Sequence, residues 1–594
     1  MALVAFFVGT TTIVGIASFA YTFATKLTLT TSSIIDKMDL DPTDGKIEFF
    51  GSQLGGQSVV TYSYTSDPWH LLLHDVYYFF AFWRNWKYIV WPVAPSDSGH
   101  YGELAPTKEN LFCLAVHVVL IFAQLGFIIS LPFMFVLPLW MVAAWVALFL
   151  AANRLVCHKC LNSSRLVYES DVDIGKHRED HRNEEQWIFL NGVAAGEHWL
   201  MSNLNRLSVT FKRPIMGIHN RTHGILFDTI ECLIQRNFTY ATSDVRMCYK
   251  ELKEKLYRAD LKRVIFILHS QGGIEGGLVL DWLIQELPQD LLMKLEVYTF
   301  GCAANHFNNP HRHILSQRIA QDNPAAITAT TTTTTQVNTQ SMTEEDLVAR
   351  REDTAGNPVV ENGGSPVVGR VASLPSAGDV AMTSPVQRRR TLRRPPTLIT
   401  DASAVSNTST VSAAADRAIG HIEHFAHTHD FVARWGVLHF ASDLKHASVA
   451  GGEGEAPTTG MPRYMGRVFA RSSDRGGHQF CQHYLDGMFP LEKDDEGNFR
   501  GAMEEGNEFM ESEVRCREDD QREGDEVSSA ATNMTNMGLA SGVVGVTGFG
   551  SRRGTGFHVR ANRGEGGGER TKKVKELSRL WGYVNGRSPA DLRG

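Results

Sequence analysis

Arg263-Val264-Ile265-Phe266-Ile267-Leu268-His269-Ser270-Gln271-Gly272-Gly273 is a short apolar, β-branched run that stops abruptly at a serine. A helix-like stretch, Ile274 to Leu287, follows at once. A strand, a sharp turn and a helix, with serine at the turn, is the layout of a nucleophile elbow. Such a turn lifts the hydroxyl above the sheet edge and aims the first N–H groups of the helix at whatever the serine attacks. The glycines after the serine let the backbone pass close to its neighbours or adopt φ > 0. A plain glycine-rich strand-to-helix turn has the same composition. What separates the two is whether a partner acid and histidine follow in the right order.

Around this stretch, strands alternate with helices. Trp187-Ile188-Phe189-Leu190 reads as a strand, His198 to Phe211 as a helix, and Pro214 to His219 as a strand. Helical patterns follow at about 224–236 and 242–258, and a strand at Glu296 to Gly301. The pattern resumes with strands at Ile419 to Ala426 and Tyr464 to Ala470. Continuous apolar strands alternating with helices predict an α/β fold whose mostly parallel sheet is covered on both faces. The folded domain is expected over residues 180–320 and 418–490.

A serine needs a base to take its proton, and the base is usually a histidine oriented by a buried carboxylate. In His427-Thr428-His429-Asp430-Phe431-Val432, Asp430 stands just after a strand and is the candidate acid. His478, in Arg475-Gly476-Gly477-His478, follows the last strand and is the candidate base, with His483 as its rival. His269, beside the serine, is expected to support the turn. The oxyanion hole needs two N–H groups. One is expected from Gln271, and the other from the loop Asn191-Gly192-Val193-Ala194, with Val193 favoured and Gly192 the alternative.

The 43 residues from Leu111 to Asn153 contain no Lys, Arg, Asp or Glu. A spanning helix needs about 20 apolar residues, so the run predicts a transmembrane hairpin over 111–153, with its turn at Ser130-Leu131-Pro132-Phe133. Lys108, Arg154, Lys159 and Arg165 flank it, which places both ends and the following domain in the cytosol. Residues 2–25 are also apolar and uncharged, and read as a further transmembrane or signal-anchor helix over 1–25. Residues 60–110 are aromatic-rich between Trp69 and Trp91 and interrupted by Asp75, Arg84 and Lys87. That mixture reads as a membrane-interfacial region, with an aromatic-rich core helix as the alternative.

Elsewhere the composition shifts. Residues 321–417 are rich in Thr, Ala, Ser and Pro and read as a disordered insertion. Within it, Ser373, Thr391 and Thr397 each follow an arginine by three residues, a pattern a basophilic kinase would take, with Thr391 the clearest case. Residues 491–528 carry fifteen acidic against five basic side chains, and the chain is Gly-rich beyond, so 491–570 reads as a disordered acidic tail. A short helix is expected at 574–586, with Leu577, Leu580, Trp581 and Val584 on one face.

The net charge of −7 over 594 residues gives no broad electrostatic case for nucleic acid. Eight scattered cysteines fit a reducing compartment. The one close pair, Cys157 and Cys160, reads as incidental, as two thiols open to palmitoylation, or as half a zinc site with no second half. No metal or nucleotide cofactor is implied, for no ligand cluster has the required spacing and no phosphate-binding loop is visible.

With these residues assigned, the chain resembles the serine α/β-hydrolase superfamily. Thr299-Phe300-Gly301 and His427 to Val432 are similar to segments of class-3-type lipases. Phe189-Leu190-Asn191-Gly192, Arg434-Trp435-Gly436-Val437-Leu438 and His483-Tyr484-Leu485-Asp486 are similar to a filamentous-fungal group of membrane-anchored, lipase-like proteins. The resemblance covers roughly 60–320, 418–490 and the segment near 574–586. It implies an α/β-hydrolase fold and hydrolysis of carboxylic esters through an acyl-enzyme. One departure stands out: Leu268 occupies the place where Gly-x-Ser-x-Gly usually has its first glycine. The expected partners are therefore a bilayer and a membrane lipid or other acyl ester. Competing expectations are a thioesterase or acyltransferase using the same triad, and an inactive membrane scaffold, which the long linker, the acidic tail and Leu268 favour.

Overall fold

The computed structural model describes residues 47–50, 67–93, 96–172, 184–312, 417–441, 463–473, 475–515 and 572–589. The expected helix at 1–25, the insertion up to Asp416 with Thr391, and the Gly-rich stretch lie outside the described residues.

Twelve strands are present among the described residues: β1 Ile47–Phe50, β2 Val167–Glu169, β3 Glu185–Leu190, β4 Ile215–Ile218, β5 Arg263–His269, β6 Leu295–Phe300, β7 His421–His427, β8 Arg467–Arg471, β9 Leu491–Lys493, β10 Phe499–Ala502, β11 Glu513–Arg515 and β12 Lys572–Lys573. Ten of them form one sheet in the order β12-β11-β1-β8-β7-β6-β5-β3-β4-β2, and β9 and β10 pair separately. The six central strands, β4-β3-β5-β6-β7-β8, are parallel to one another, and β2 and β1 flank them antiparallel. The fold is thus α/β with a mostly parallel sheet.

Strand periodicity divides the interior into two cores. Ile188, Leu190, Val264, Phe266 and Leu268 point to one face, where α5 Ile225–Phe238, α6 Ser243–Tyr257 and α7 Gly272–Glu286 cover them. Trp187, Phe189, Ile265 and Ile267 point to the other, covered by α4 Glu197–Phe211 and by residues 480–489 and 574–584. Leu200, Leu204, Leu207 and Phe211 form the buried stripe of α4 at helical spacing. Expected and observed strands agree within a few residues. The β8 start moves from Tyr464 to Arg467 because Gly466 takes φ +109° and interrupts the run.

Chain order and sheet order diverge at one place. The chain runs from β3 outward to β4, then returns to lay β5 on the other side of β3. In open parallel sheets, such a switch point leaves a crevice beyond the carboxyl ends of the strands. The loops after β3 and β5 flank it here.

The amino ends of the strands form an ionic rim. Glu185 meets Arg213 at 3.1 Å, and Glu296 accepts from Arg579 Nε at 3.0 Å and from Tyr583 at 2.8 Å. Glu423 accepts from the Arg579 N–H at 2.7 Å and from Ser578 at 2.8 Å. Burial pushes the Glu296 carboxyl up, but Arg579 outweighs it and holds the group below the usual carboxylate range.

Several expectations are corrected. The acidic segment is not unstructured from residue 491: the chain to Arg515 forms β9, β10 and β11, because Leu491, Ala502, Phe509, Met510 and Val514 are buried between the charges. The helix expected at 574–586 is one α-turn, Val574–Leu577, followed by a 3-10 segment, Leu580–Gly586. Val574, Leu577, Leu580, Tyr583 and Val584 all enter the second core, whereas Trp581 is only half-buried. Asp75 is not an interfacial charge. It lies buried on α1 Pro68–Ala81, paired with Arg236 at 2.7 Å and Asn237 at 2.7 Å. Trp69, Trp83 and Trp91 of that region remain exposed.

The apolar run forms two helices, α2 Lys108–Phe133 and α3 Leu139–Cys160, each long and apolar enough to cross a membrane. Helix α2 continues through Pro132, and the turn falls at 134–138, where Pro138 caps α3. Cys157 is buried against Cys113, Leu120 and Leu161, so it is not open to acylation, while Cys160 is half-buried.

Leu580→Ala removes a fully buried side chain from the second core and is expected to cost about 2–5 kcal/mol. Urea unfolding followed by tryptophan fluorescence checks this, and an unchanged midpoint would show that the 572–589 segment does not contribute to the core.

Candidate active site

The carboxyl ends of β3, β5, β7 and β8 bring the sequence-nominated residues to one place. Ser270 closes β5 with φ +58°, a left-handed conformation that costs an L-residue roughly 1–2 kcal/mol. Its neighbours impose it. The Ser270 N–H donates to Phe300 O at 3.1 Å, and the Ala303 N–H donates to Ser270 O at 3.1 Å. The abrupt stop of the apolar run at Ser270 is therefore a strand end pinned to the next strand's exit loop.

His478 Nε2 lies 2.9 Å from Ser270 Oγ, and its Nδ1 lies 2.9 Å from Asp430 Oδ2. Asp430 directly follows β7 and caps the short helix α8 Phe431–Trp435, its Oδ1 accepting from the Val432 N–H at 2.7 Å. Burial pushes the Asp430 carboxyl up, but His478, Tyr484 and Val432 together hold it below the usual range. An ionised Asp430 only accepts, so His478 Nδ1 carries the proton. That leaves the Nε2 lone pair to receive the Ser270 hydroxyl proton.

His483 does not take part. Its Nδ1 accepts from the Gln479 N–H at 2.9 Å and its Nε2 donates to Pro92 O at 2.9 Å, so both ring nitrogens are bound to backbone. His269 does more than support the turn. Its Nε2 donates to His478 O at 2.9 Å, and the two rings stack at 4.8 Å. Burial, together with the nearby His478, drives its pKa down to about 3, so it stays neutral.

The two loops expected to supply N–H donors lie against the serine. A Cβ on Gly192 would fall 2.4 Å from Ser270 Cβ, so only glycine lets this loop approach so closely. Ala194 N–H is already given to Asp228 Oδ2 at 3.0 Å, so within this loop it is not the second donor. Gln271 opens α7, so its N–H has no carbonyl within the helix to pair with. Its side chain turns inward to Gln235 Oε1 at 3.0 Å, and Gln235 in turn donates to Glu275.

Leu268, the departure from the usual motif, is accommodated. It is fully buried, and a Cβ on Gly276 of α7 would lie 2.4 Å from its Cδ1. The glycine has moved from the strand to the facing helix, and the leucine side chain fills the space it leaves.

Several residues around the site gave no signal in the sequence. Tyr484 OH donates to Asp430 Oδ2 at 2.7 Å, from a π-helical turn, Phe480–Leu485. Buried Glu103 holds that turn by accepting the Cys481 N–H at 2.9 Å. Tyr88 O accepts the His478 N–H at 3.0 Å, and Gln479 reaches Ile89 O at 2.7 Å, so the segment 83–93 is strapped along the histidine loop. Tyr484 stands in one of the segments that carry the resemblance, but a lone tyrosine has no spacing rule that would assign it to Asp430.

No protein-family model matches this chain, and no curated protein or solved structure matches it.

Asp430 is the depressed-pKa case: its contribution to stability is fully present above the unfolded value of about 4 and is lost as pH falls through the folded value. Tyr484→Phe removes one donor from the carboxylate and raises that folded value. The variant is expected to lose about 1–3 kcal/mol at neutral pH and to unfold in acid at a higher pH than wild type. Acid titration by fluorescence checks this, and coincident acid midpoints would count against the contact.

Proposed function

We propose that this protein is a membrane-associated serine hydrolase of the α/β-hydrolase type that cleaves acyl esters of lipid character. The observation that carries the reading is the Ser270–His478–Asp430 relay, at 2.9 Å and 2.9 Å, on a serine held at φ +58°. A histidine between a hydroxyl and a buried carboxylate is the arrangement that makes serine nucleophilic.

In the first half-reaction Ser270 Oγ attacks the ester carbonyl and its proton passes to His478 Nε2. The Gln271 and Val193 N–H groups receive the oxyanion, and the imidazolium gives its proton to the departing alcohol. In the second half, water attacks the acyl-enzyme, and His478 takes the proton and returns it to Ser270 as the acid leaves. Asp430 stays ionised throughout and stabilises the imidazolium.

The lipid character rests on two surfaces. On α2 and α3, Phe122, Phe133, Leu139, Trp140 and Leu148 are each at least 67% exposed, which water does not favour over such a length. The strap over the histidine loop exposes Trp83, Trp91 and Val93. An aromatic-rich strap along the His478 loop suits delivery of an acyl chain from a bilayer. Of the features that favour the scaffold alternative, Leu268 is accommodated by Gly276.

Fluorophosphonate labelling of the full-length protein in detergent tests the chemistry. Wild type is expected to label, Ser270→Ala and His478→Ala to lose labelling, and Asp430→Asn to label and turn over ester about 10⁴-fold more slowly. A folded wild type that does not label would sink the reading. For the membrane, Val119→Arg with Phe122→Arg places two charges on the exposed face of α2, at about 2.5–3.5 kcal/mol each in a bilayer. The double variant is expected to move into the carbonate-soluble fraction. Retention identical to wild type would mean this face does not meet lipid.

A further inference from the structure

Along the largely apolar helix α2, Asn110, His117 and Gln124 are polar side chains spaced by seven. A seven-residue spacing keeps them on one face of a helix. With Cys113, Leu120 and Phe127 they form its buried seam, while Val118, Val119 and Phe122 on the other side are exposed. Each polar group is used against the α/β domain. Asn110 Nδ2 donates to Gly102 O at 2.9 Å, and its Oδ1 accepts from Trp199 Nε1 at 2.9 Å. Gln124 Nε2 donates to His223 O at 2.7 Å, and Asn153 of α3 donates to the same carbonyl at 2.9 Å.

The middle contact reaches the candidate active site. His117 Nε2 donates to Ala194 O at 2.9 Å, with its ring stacked at 5.5 Å on Trp199. Ala194 has φ +65°, a left-handed non-glycine residue two positions after Gly192, where a Cβ would fall 2.4 Å from Ser270 Cβ. Both sides of Ala194 are therefore clamped: its carbonyl by His117, its N–H by Asp228 Oδ2. Asp228 also accepts the His223 N–H at 2.7 Å, and the carbonyl of His223 is the group that Gln124 and Asn153 hold. Both clamps on Ala194 lead back to the apolar hairpin. Strained residues of this kind persist only where surrounding contacts over-determine them.

We propose that the hairpin is a working part of the active site, and that His117 is a positioning residue that fixes the Ala194 peptide and so the aim of the Val193 N–H at the oxyanion. The proposal rests on the serine-hydrolase reading above. An oxyanion donor acts in the transition state and contributes little to ground-state binding. Loss of its aim therefore lowers kcat and leaves KM in place. Glutamine can present an Nε2 donor near the position of the imidazole Nε2, whereas alanine cannot.

The test uses full-length wild type, His117→Ala and His117→Gln in lipid nanodiscs, with p-nitrophenyl butyrate as substrate and an alkyl boronic acid as transition-state mimic. His117→Ala is expected to lower kcat by about 10–100-fold, a partial loss of one donor, with KM within about twofold and boronate affinity reduced in parallel with kcat. His117→Gln is expected to recover most of both. Active wild type with an unchanged His117→Ala overturns the proposal and leaves the hydrolase reading intact. Equal losses in Ala and Gln, tracking a fall in thermal stability, overturn it as well, since they indicate a structural role. Wild type without ester turnover or boronate binding overturns the hydrolase reading, and the proposal with it.

Discussion

The left-handed backbone of Ser270 is the constraint around which the site is built. A serine does not adopt φ +58° at a strand end unless its peptide groups are held, and here β6 and its exit loop hold both. The parallel register makes this possible. Leu268 lies level with Leu190 and Thr299, so β3, β5 and β6 end at one height. Gly192 then fits against the serine, and Gly301, with φ +53°, passes beneath Asp430 and His478, where a Cβ would lie 2.7 Å from Asp430 Oδ2.

The two ends of the sheet are stabilised by opposite means. At the carboxyl ends, neutral histidines and backbone groups dominate, and Asp430 is the buried charge of the relay. At the amino ends, Glu185, Glu296 and Glu423 pair with Arg213, Arg263, Arg467 and Arg579. Buried ion pairs are costly to break because the surviving partner is left uncompensated. That rim ties the 572–589 segment to the sheet, far along the chain from the strands it closes, and leaves the other end free for chemistry.

The hairpin meets two environments at once. Its outer surface is apolar and exposed, while its inner seam places a polar group every second turn against a specific carbonyl of the domain. A helix that only anchored a separate domain would need no such seam. Because the seam runs from Asn110 to Phe127, most of α2 lies along the domain, and the strap with Trp83 and Trp91 lies along the histidine loop.

The sequence alone determined what local chemistry controls. The apolar runs and their breaks marked β3, β5, β6 and β7. Their order singled out Ser270, Asp430 and a histidine after β8, because a residue just past a strand end falls at the sheet's rim wherever the sheet is parallel. The apolar hairpin was equally legible from its lack of charge. Tertiary structure alone decided between His478 and His483, since two histidines five residues apart differ only in which one the turn after β8 aims at Ser270. It also decided the fate of the acidic segment, where Phe509 and Met510 find a core that local charge density hides. Asn110, His117 and Gln124 carry no local signal in an apolar helix, for their partners lie about 5 to 100 residues away. Tyr484, too, meets Asp430 only in the folded chain. Patterning is a property of neighbours in sequence, whereas hydrogen-bond partners across a fold are fixed only when the strands and helices pack.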